Sequence, residues 1–146
     1  MRRMVGVLSV LLSLSGALGA VSAQQDPTPG GQGNGFVLEQ NYPNPFNPET
    51  RIPFVLEEDL FADGRPVVVS LRIYNLLQQP VAFPVALGHP SGEGVRVEQL
   101  EYLQPGRHEA FWDGTDQSGR QVASGIYFMQ ISVNGMSKTR KMYVLK

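Results

Sequence analysis

Two stretches of this sequence, VVVSLRIYN at 67–75 and GIYFMQISV at 125–133, alternate apolar with polar side chains at a period of two. A strand that hides every second side chain needs another layer of structure to cover its apolar face. Val67, Val69, Leu71 and Ile73 fall on one face of the first stretch, with Ser70 and Arg72 on the other. Tyr127, Met129, Ile131 and Val133 alternate in the same way with Phe128, Gln130 and Ser132. The spacing predicts a strand at the centre of a sheet for 67–75 and a long core strand for the second stretch. No segment sustains the helical period, and 16 Gly with 11 Pro supply turns rather than helix interiors.

The remaining strands follow from the same rule. Ile52, Phe54 and Leu56 alternate, but Pro53 lacks a ladder donor, which predicts an edge strand or a bulge. Val81, Phe83 and Val85 read as one strand near an edge, because Pro80 and Pro84 remove two donors. HPSGEG at 89–94 is a solvated turn, after which Val95 and Val97 start another strand. His108, Ala110 and Trp112 share a face on the strand after Pro105-Gly106, with Trp112 as a core anchor. Asp113-Gly114 and Ser118-Gly119 bracket a polar turn. Asn134-Gly135 is a hairpin signal that returns the chain through MSKTRKMYVLK, where Met142 and Val144 share one face. Seven to eight short antiparallel strands with turns between them predict an all-β, immunoglobulin-like sandwich.

The ends differ from this core. Residues 1–23 place Arg2 and Arg3 before the apolar run Met4–Leu14 and finish at Val21-Ser22-Ala23, the pattern of a cleavable secretory signal peptide. Ser9, Ser13, Ser15 and Gly16 keep that run short of the ~20 residues that span a bilayer, so no membrane span is expected after cleavage. QQDPTPGGQGNG at 24–35 offers no apolar side chain to bury and reads as a flexible linker, leaving 36–146 as the folded domain. The last acid is Asp116, and the final nine residues carry Lys138, Arg140, Lys141 and Lys146, so this end is cationic.

Few residues point to chemistry. A net charge of −1 gives no basis for nucleic-acid binding, and the absence of Cys excludes disulfides, thiolate metal sites and cysteine nucleophiles. A nucleophile elbow, a phosphate-cradling glycine loop and a metal-binding histidine pair are all missing. The Asp113–Ser118 turn lacks the alternating carboxylates of a calcium loop and reads as a self-satisfied turn. His89 and His108 do not support zinc; His108 reads as a packed or hydrogen-bonded histidine. Glu57, Glu58 and Asp59 read as a solvated run. No catalytic residue, cofactor or small-molecule substrate is expected, and the chain reads as a non-enzyme. YPNPFNP, comprising Tyr42, Pro43, Asn44, Pro45, Phe46, Asn47 and Pro48, reads as a stiff, kinked lead-in. Tyr42 and Phe46 are its apolar pegs, and Asn44 and Asn47 are expected to bond nearby backbone.

YPNPFNP, a strand ending IYN, GRHEAFWDG with Trp112, Asp113 and Gly114, then DQSG, VASGIYF with Gly125 and Tyr127, and a terminal KMYVLK stand in this order. Together they resemble the type A C-terminal sorting domain of type IX secretion cargo, whose fold is related to the immunoglobulin-like domain of the flagellar hook-capping protein FlgD. The resemblance implies an exported β-sandwich, in the periplasm in transit and then at the cell surface or outside. It implies as partners an outer-membrane translocon and a sortase-like peptidase. The family's recognition stretch corresponds by position to Lys141, Met142, Val144, Leu145 and Lys146, and a cationic strand there is expected to offer its edge for pairing. Three departures accompany the resemblance. Gln78 replaces the usual Gly in IYNLLQQP, so a turn needing positive φ is expected to rearrange. The stretch from Leu87 to Gln99 is longer than usual, and only the short linker, with no passenger, precedes the domain. The alternative is a free-standing FlgD-like immunoglobulin domain with a structural or adhesion role. A fragment cut from its passenger is a third reading, against which the signal peptide argues.

Overall fold

The computed structural model describes residues 35–146. The expected signal peptide and all but the last residue of the expected linker lie outside the described residues. The alternating segments form nine strands: β1 (Phe36–Leu38), β2 (Thr50–Leu56), β3 (Val67–Tyr74), β4 (Pro80–Ala82), β5 (Val85–Leu87), β6 (Leu100–Tyr102), β7 (Gly106–Trp112), β8 (Gly125–Val133) and β9 (Met136–Val144). Among the described residues one 3-10 turn, Glu58–Phe61, holds Glu58 and Asp59, with Glu57 just before it. All pairings among these strands are antiparallel. One sheet runs β1-β2-β7-β5; the other runs β4-β3-β8-β9, with β6 also paired to β3. Two sheets with their apolar faces opposed make an immunoglobulin-like β-sandwich.

The core is the sum of the alternate faces. Ile52, Phe54 and Leu56 of β2 and Val67, Val69, Leu71 and Ile73 of β3 are fully buried, as are Met129, Ile131 and Val133 of β8. Val68 and Arg72, one residue out of phase, are exposed. At Asn134-Gly135 both residues take positive φ, 48° and 87°, and Asn134 Oδ1 accepts from the Val68 N–H at 3.1 Å.

Four local expectations are corrected. Strand β2 is not an edge strand, because β1 and β7 flank it. The Pro53 carbonyl accepts from the Glu39 N–H at 3.0 Å, so its absent donor faces the side where β1 has already ended, and the ladder to β7 loses nothing. The segment 81–85 is two short strands in different sheets, and Ala82 and Ala86 point inward rather than Val81, Phe83 and Val85. Phe83 lies at the crossover, with the Arg72 and Arg96 guanidinium carbons 5.4 and 5.8 Å from its ring centroid. Val95 and Val97 do not start a strand; Val95 accepts from the Ala86 N–H, Val97 donates to the Pro84 carbonyl and accepts from the Leu71 N–H of β3, and β6 begins at Leu100. The Gln78 turn does not rearrange: Gln78 takes φ 60°. Asn75 Oδ1 accepts from the Leu77 and Gln79 N–H groups at 3.0 Å each and holds that geometry, which costs about 1–2 kcal/mol for a side chain with a Cβ.

The long 88–99 connection is pinned through histidine. His89 Nδ1 accepts from the Ser91 N–H at 3.1 Å, so its proton sits on Nε2 and is donated to the Glu101 carbonyl at 2.9 Å. Both histidine rings lie against Tyr102, with centroids 4.8 and 4.7 Å away, and His108 also meets the Gln104 carbonyl at 2.9 Å. The Tyr102 hydroxyl is buried without a hydrogen-bond partner, and burial pushes its pKa up to about 12. The fold therefore favours the neutral phenol: this contribution is complete below pH ~10, the pKa of an unfolded tyrosine, and is lost as pH rises through about 12. Tyr102→Phe removes the unpartnered hydroxyl and is expected to raise stability by about 1 kcal/mol at neutral pH. Denaturant melts of the two proteins should diverge further above pH ~10, by up to about 2–3 kcal/mol. A gap that shrinks with alkali would contradict this assignment.

Candidate functional site

The two ends of the domain meet, and the sequence motifs meet with them. Asn41, only 2% exposed, donates through Nδ2 to Thr50 Oγ1 at 3.1 Å and to the Pro43 carbonyl at 3.2 Å. Thr50, itself buried, donates to the same carbonyl at 3.1 Å. This polar knot fixes the lead-in, whose three X-Pro bonds are all cis. From it Phe46 turns inward, 1% exposed, with its ring centroid 5.2 Å from that of Trp112.

The backbone of the lead-in then closes the outer edge of β9. The Phe46 N–H donates to the Tyr143 carbonyl at 3.1 Å, and the Leu145 N–H donates to the Phe46 carbonyl at 3.0 Å, a parallel bridge beside Val144. Asn44 Oδ1 accepts from the Tyr143 N–H at 3.0 Å, and Gln40 Nε2 donates to the Lys141 carbonyl at 3.1 Å. Each is a partner that an incoming strand would have needed. The expectation that the end of β9 presents a free edge is therefore corrected: the lead-in occupies it from Lys141 to Leu145. Farther back, Lys138 points inward, donating to the Phe36 carbonyl and lying over the Phe36 ring.

The five recognition positions divide by exposure. Met142 is fully buried and Val144 nearly so, whereas Lys141 and Lys146 are exposed and Leu145 is 55% exposed. A partner meeting the folded domain thus reaches Lys141, Leu145 and Lys146, together with Tyr143 on the outer face. The Lys146 N–H is held by Ser124 Oγ at 3.0 Å, which seats the terminus beside the start of β8.

The other motif residues support this end of the sandwich. Trp112 donates through Nε1 to the Thr115 carbonyl at 2.8 Å and meets Tyr127 edge to face, and the Tyr127 hydroxyl donates to the Ala123 carbonyl at 2.9 Å. Gly125 opens β8 opposite Val144. Gly114 has φ 77°, and a Cβ there would collide with the Pro48 carbonyl, so the lead-in lies directly on the Asp113-Gly114 turn. That turn satisfies itself: Asp113 Oδ1 accepts from the Thr115 N–H and hydroxyl, and Asp116 Oδ1 from Ser118 and the Arg120 N–H. The Arg120 amide bond leads the causes that hold the Asp116 carboxyl below its usual range.

Two expectations within the lead-in shift. Tyr42 is not an apolar peg; it is 42% exposed, and its hydroxyl donates to Glu109 Oε1 at 2.5 Å, the first of the bonds that lower the Glu109 pKa. Asn44 bonds a distant strand rather than nearby backbone. The local bonds are made by Asn41 and Thr50, which sequence reading passed over; the signal available was an Asn two residues before a Pro and a Thr after the last Pro. Among the described residues no group of three or more His, Asp or Glu side chains is placed to hold a metal, and no helix is long and apolar enough to cross a membrane.

The two packed sheets define an immunoglobulin-like domain, and a family profile agrees on that class. The sequence profile of the FlgD Ig-like domain family matches residues 71–138. A solved structure of PorZ, an essential bacterial surface component of the type-IX secretion system of Porphyromonas gingivalis, is similar at a TM-score of 0.43 and 18% identity. That similarity covers 73% of this chain and 11% of the PorZ chain, so this chain spans about a tenth of its length. No curated protein matches the chain.

Proposed function

We propose that this is a non-catalytic, exported β-sandwich whose C-terminal end is a sorting signal for type IX secretion across the outer membrane. The observation that carries the reading is the ordered set of motifs from YPNPFNP to KMYVLK, of which YPNPFNP lies along the last strand. The proposed contacts are Lys141, Leu145 and Lys146, of which the two lysines carry cationic heads that suit an acidic receptor. An outer-membrane translocon and a sortase-like peptidase are the proposed partners, and the cell surface the proposed destination. The family-profile match favours a second reading, a free-standing FlgD-like module with a structural or adhesion role.

The test fuses residues 24–146 behind a periplasm-targeted fluorescent passenger in a bacterium with a type IX system. Deleting β9 would remove Met142 and Val144 and confuse unfolding with lost sorting, so the variant is Lys141→Glu combined with Lys146→Glu. The intact fusion is expected at the cell surface, and the variant folded but retained inside. An intact fusion that stays folded in the periplasm would favour the structural module. Full export of the variant would remove the cationic end from the signal.

A further inference from the structure

The outer face of the β4-β3-β8-β9 sheet is graded along its strands. Strand pairing sets Ser70, Ser132 and Ser137 in one row, Arg72, Gln130 and Thr139 in the next, and Tyr74, Phe128 and Lys141 in the third. Ile126 and Tyr143 pair beyond them. No acid occurs in β3, β8 or β9, and Glu101 of β6 stands opposite Val68, one row beyond Ser70 and away from Arg72. Neither Arg72 nor Lys141 forms an ion pair among the described residues, whereas Arg51 and Arg107 on the other sheet share Glu109. Ser70, Ser132 and Ser137 of the first row and Arg72 and Gln130 of the second line a groove of about 320 Å³ with Gln99, at the lower end of the size of small-ligand sites.

A groove walled by hydroxyls, amides and one guanidinium, with the Tyr74 and Phe128 rings in the next row of the sheet, offers hydrogen bonds in several directions and π-faces for C–H groups. A protein partner would favour an apolar centre for its anchors, and this groove has no apolar wall. We infer that this face binds an acidic oligosaccharide, its hydroxyls meeting Ser132, Ser137 and Gln130, its carboxylate meeting Arg72, and a sugar ring lying against Phe128 and Tyr74. This inference goes beyond the sorting proposal and does not depend on it.

The test titrates the purified full chain with an oligogalacturonate, with the uncharged oligogalactose and with an oligoglutamate peptide, followed by amide and side-chain NMR. The expected result is saturable shifts at Arg72, Gln130, Ser132 and Phe128 with the oligogalacturonate alone. Arg72→Gln should weaken binding about tenfold, the value of one charge-assisted contact. Lys141→Gln should weaken it less, and Arg65→Gln, on a loop outside this face, should leave it unchanged. Absence of shifts, equal binding of the uncharged sugar, or the same shifts with the peptide at higher affinity would overturn the assignment.

Discussion

Trp112→Ala is expected to cost about 3–5 kcal/mol, because the ring is 3% exposed and its removal leaves a cavity that the surrounding strands cannot close. The indole sits between Phe46 and Tyr127, at centroid distances of 5.2 and 5.9 Å, and so touches the lead-in and β8 together. Its N–H bond to the Thr115 carbonyl also fixes the 113–122 turn, and truncation leaves that half-buried acceptor without its donor. For a domain of this size such a loss is a large share of total stability. Urea unfolding followed by tyrosine fluorescence or circular dichroism measures it. A loss under about 1 kcal/mol would mean that the ring anchors nothing and that the clasp at this end is held by backbone bonds alone.

The sandwich was legible in the sequence wherever one face of a strand is buried along its whole length. In β3 and β8 every second side chain must be apolar, so period and register were readable together. The pattern failed at 80–87, where short strands change sheets and the inward positions carry only Ala82 and Ala86. Alternation there marks Val81, Phe83 and Val85, because hydrophobicity ranks side chains and not the space available to them. Pro53 misled for a related reason. A missing donor is costly only if a neighbour's acceptor faces it, and which side of a strand a residue faces is fixed by pairing that one sequence does not contain.

The candidate site was legible as a set of motifs but not as a contact. YPNPFNP and KMYVLK are about a hundred residues apart, and nothing local says that Asn44 will accept from Tyr143 or that Phe46 will bridge Val144. Reading the last strand as an open edge followed from its charge and its terminal position. Closure came from a segment that reads in isolation as a turn.

Phe46→Ala is expected to cost about 3–5 kcal/mol as well, but to distribute the loss differently. Phe46 is the residue through which the lead-in holds both Trp112 and the end of β9, and its own N–H and C=O make the two bonds to Tyr143 and Leu145. Without the ring, the backbone segment has no apolar peg to oppose its ordering entropy, so the edge should open before the sandwich unfolds. Hydrogen exchange should then accelerate at the Tyr143 and Leu145 amides well beyond the change at Ile131 and Met129, which lie in the middle of the sheet. If protection at all four falls equally, the lead-in is part of the global folding unit and not a separable clasp. The double variant with Trp112→Ala decides the remaining point. Rings in contact should lose less together than the sum of their separate losses, by about 0.5–1.5 kcal/mol, whereas strict additivity would show that Phe46 holds β9 without help from Trp112.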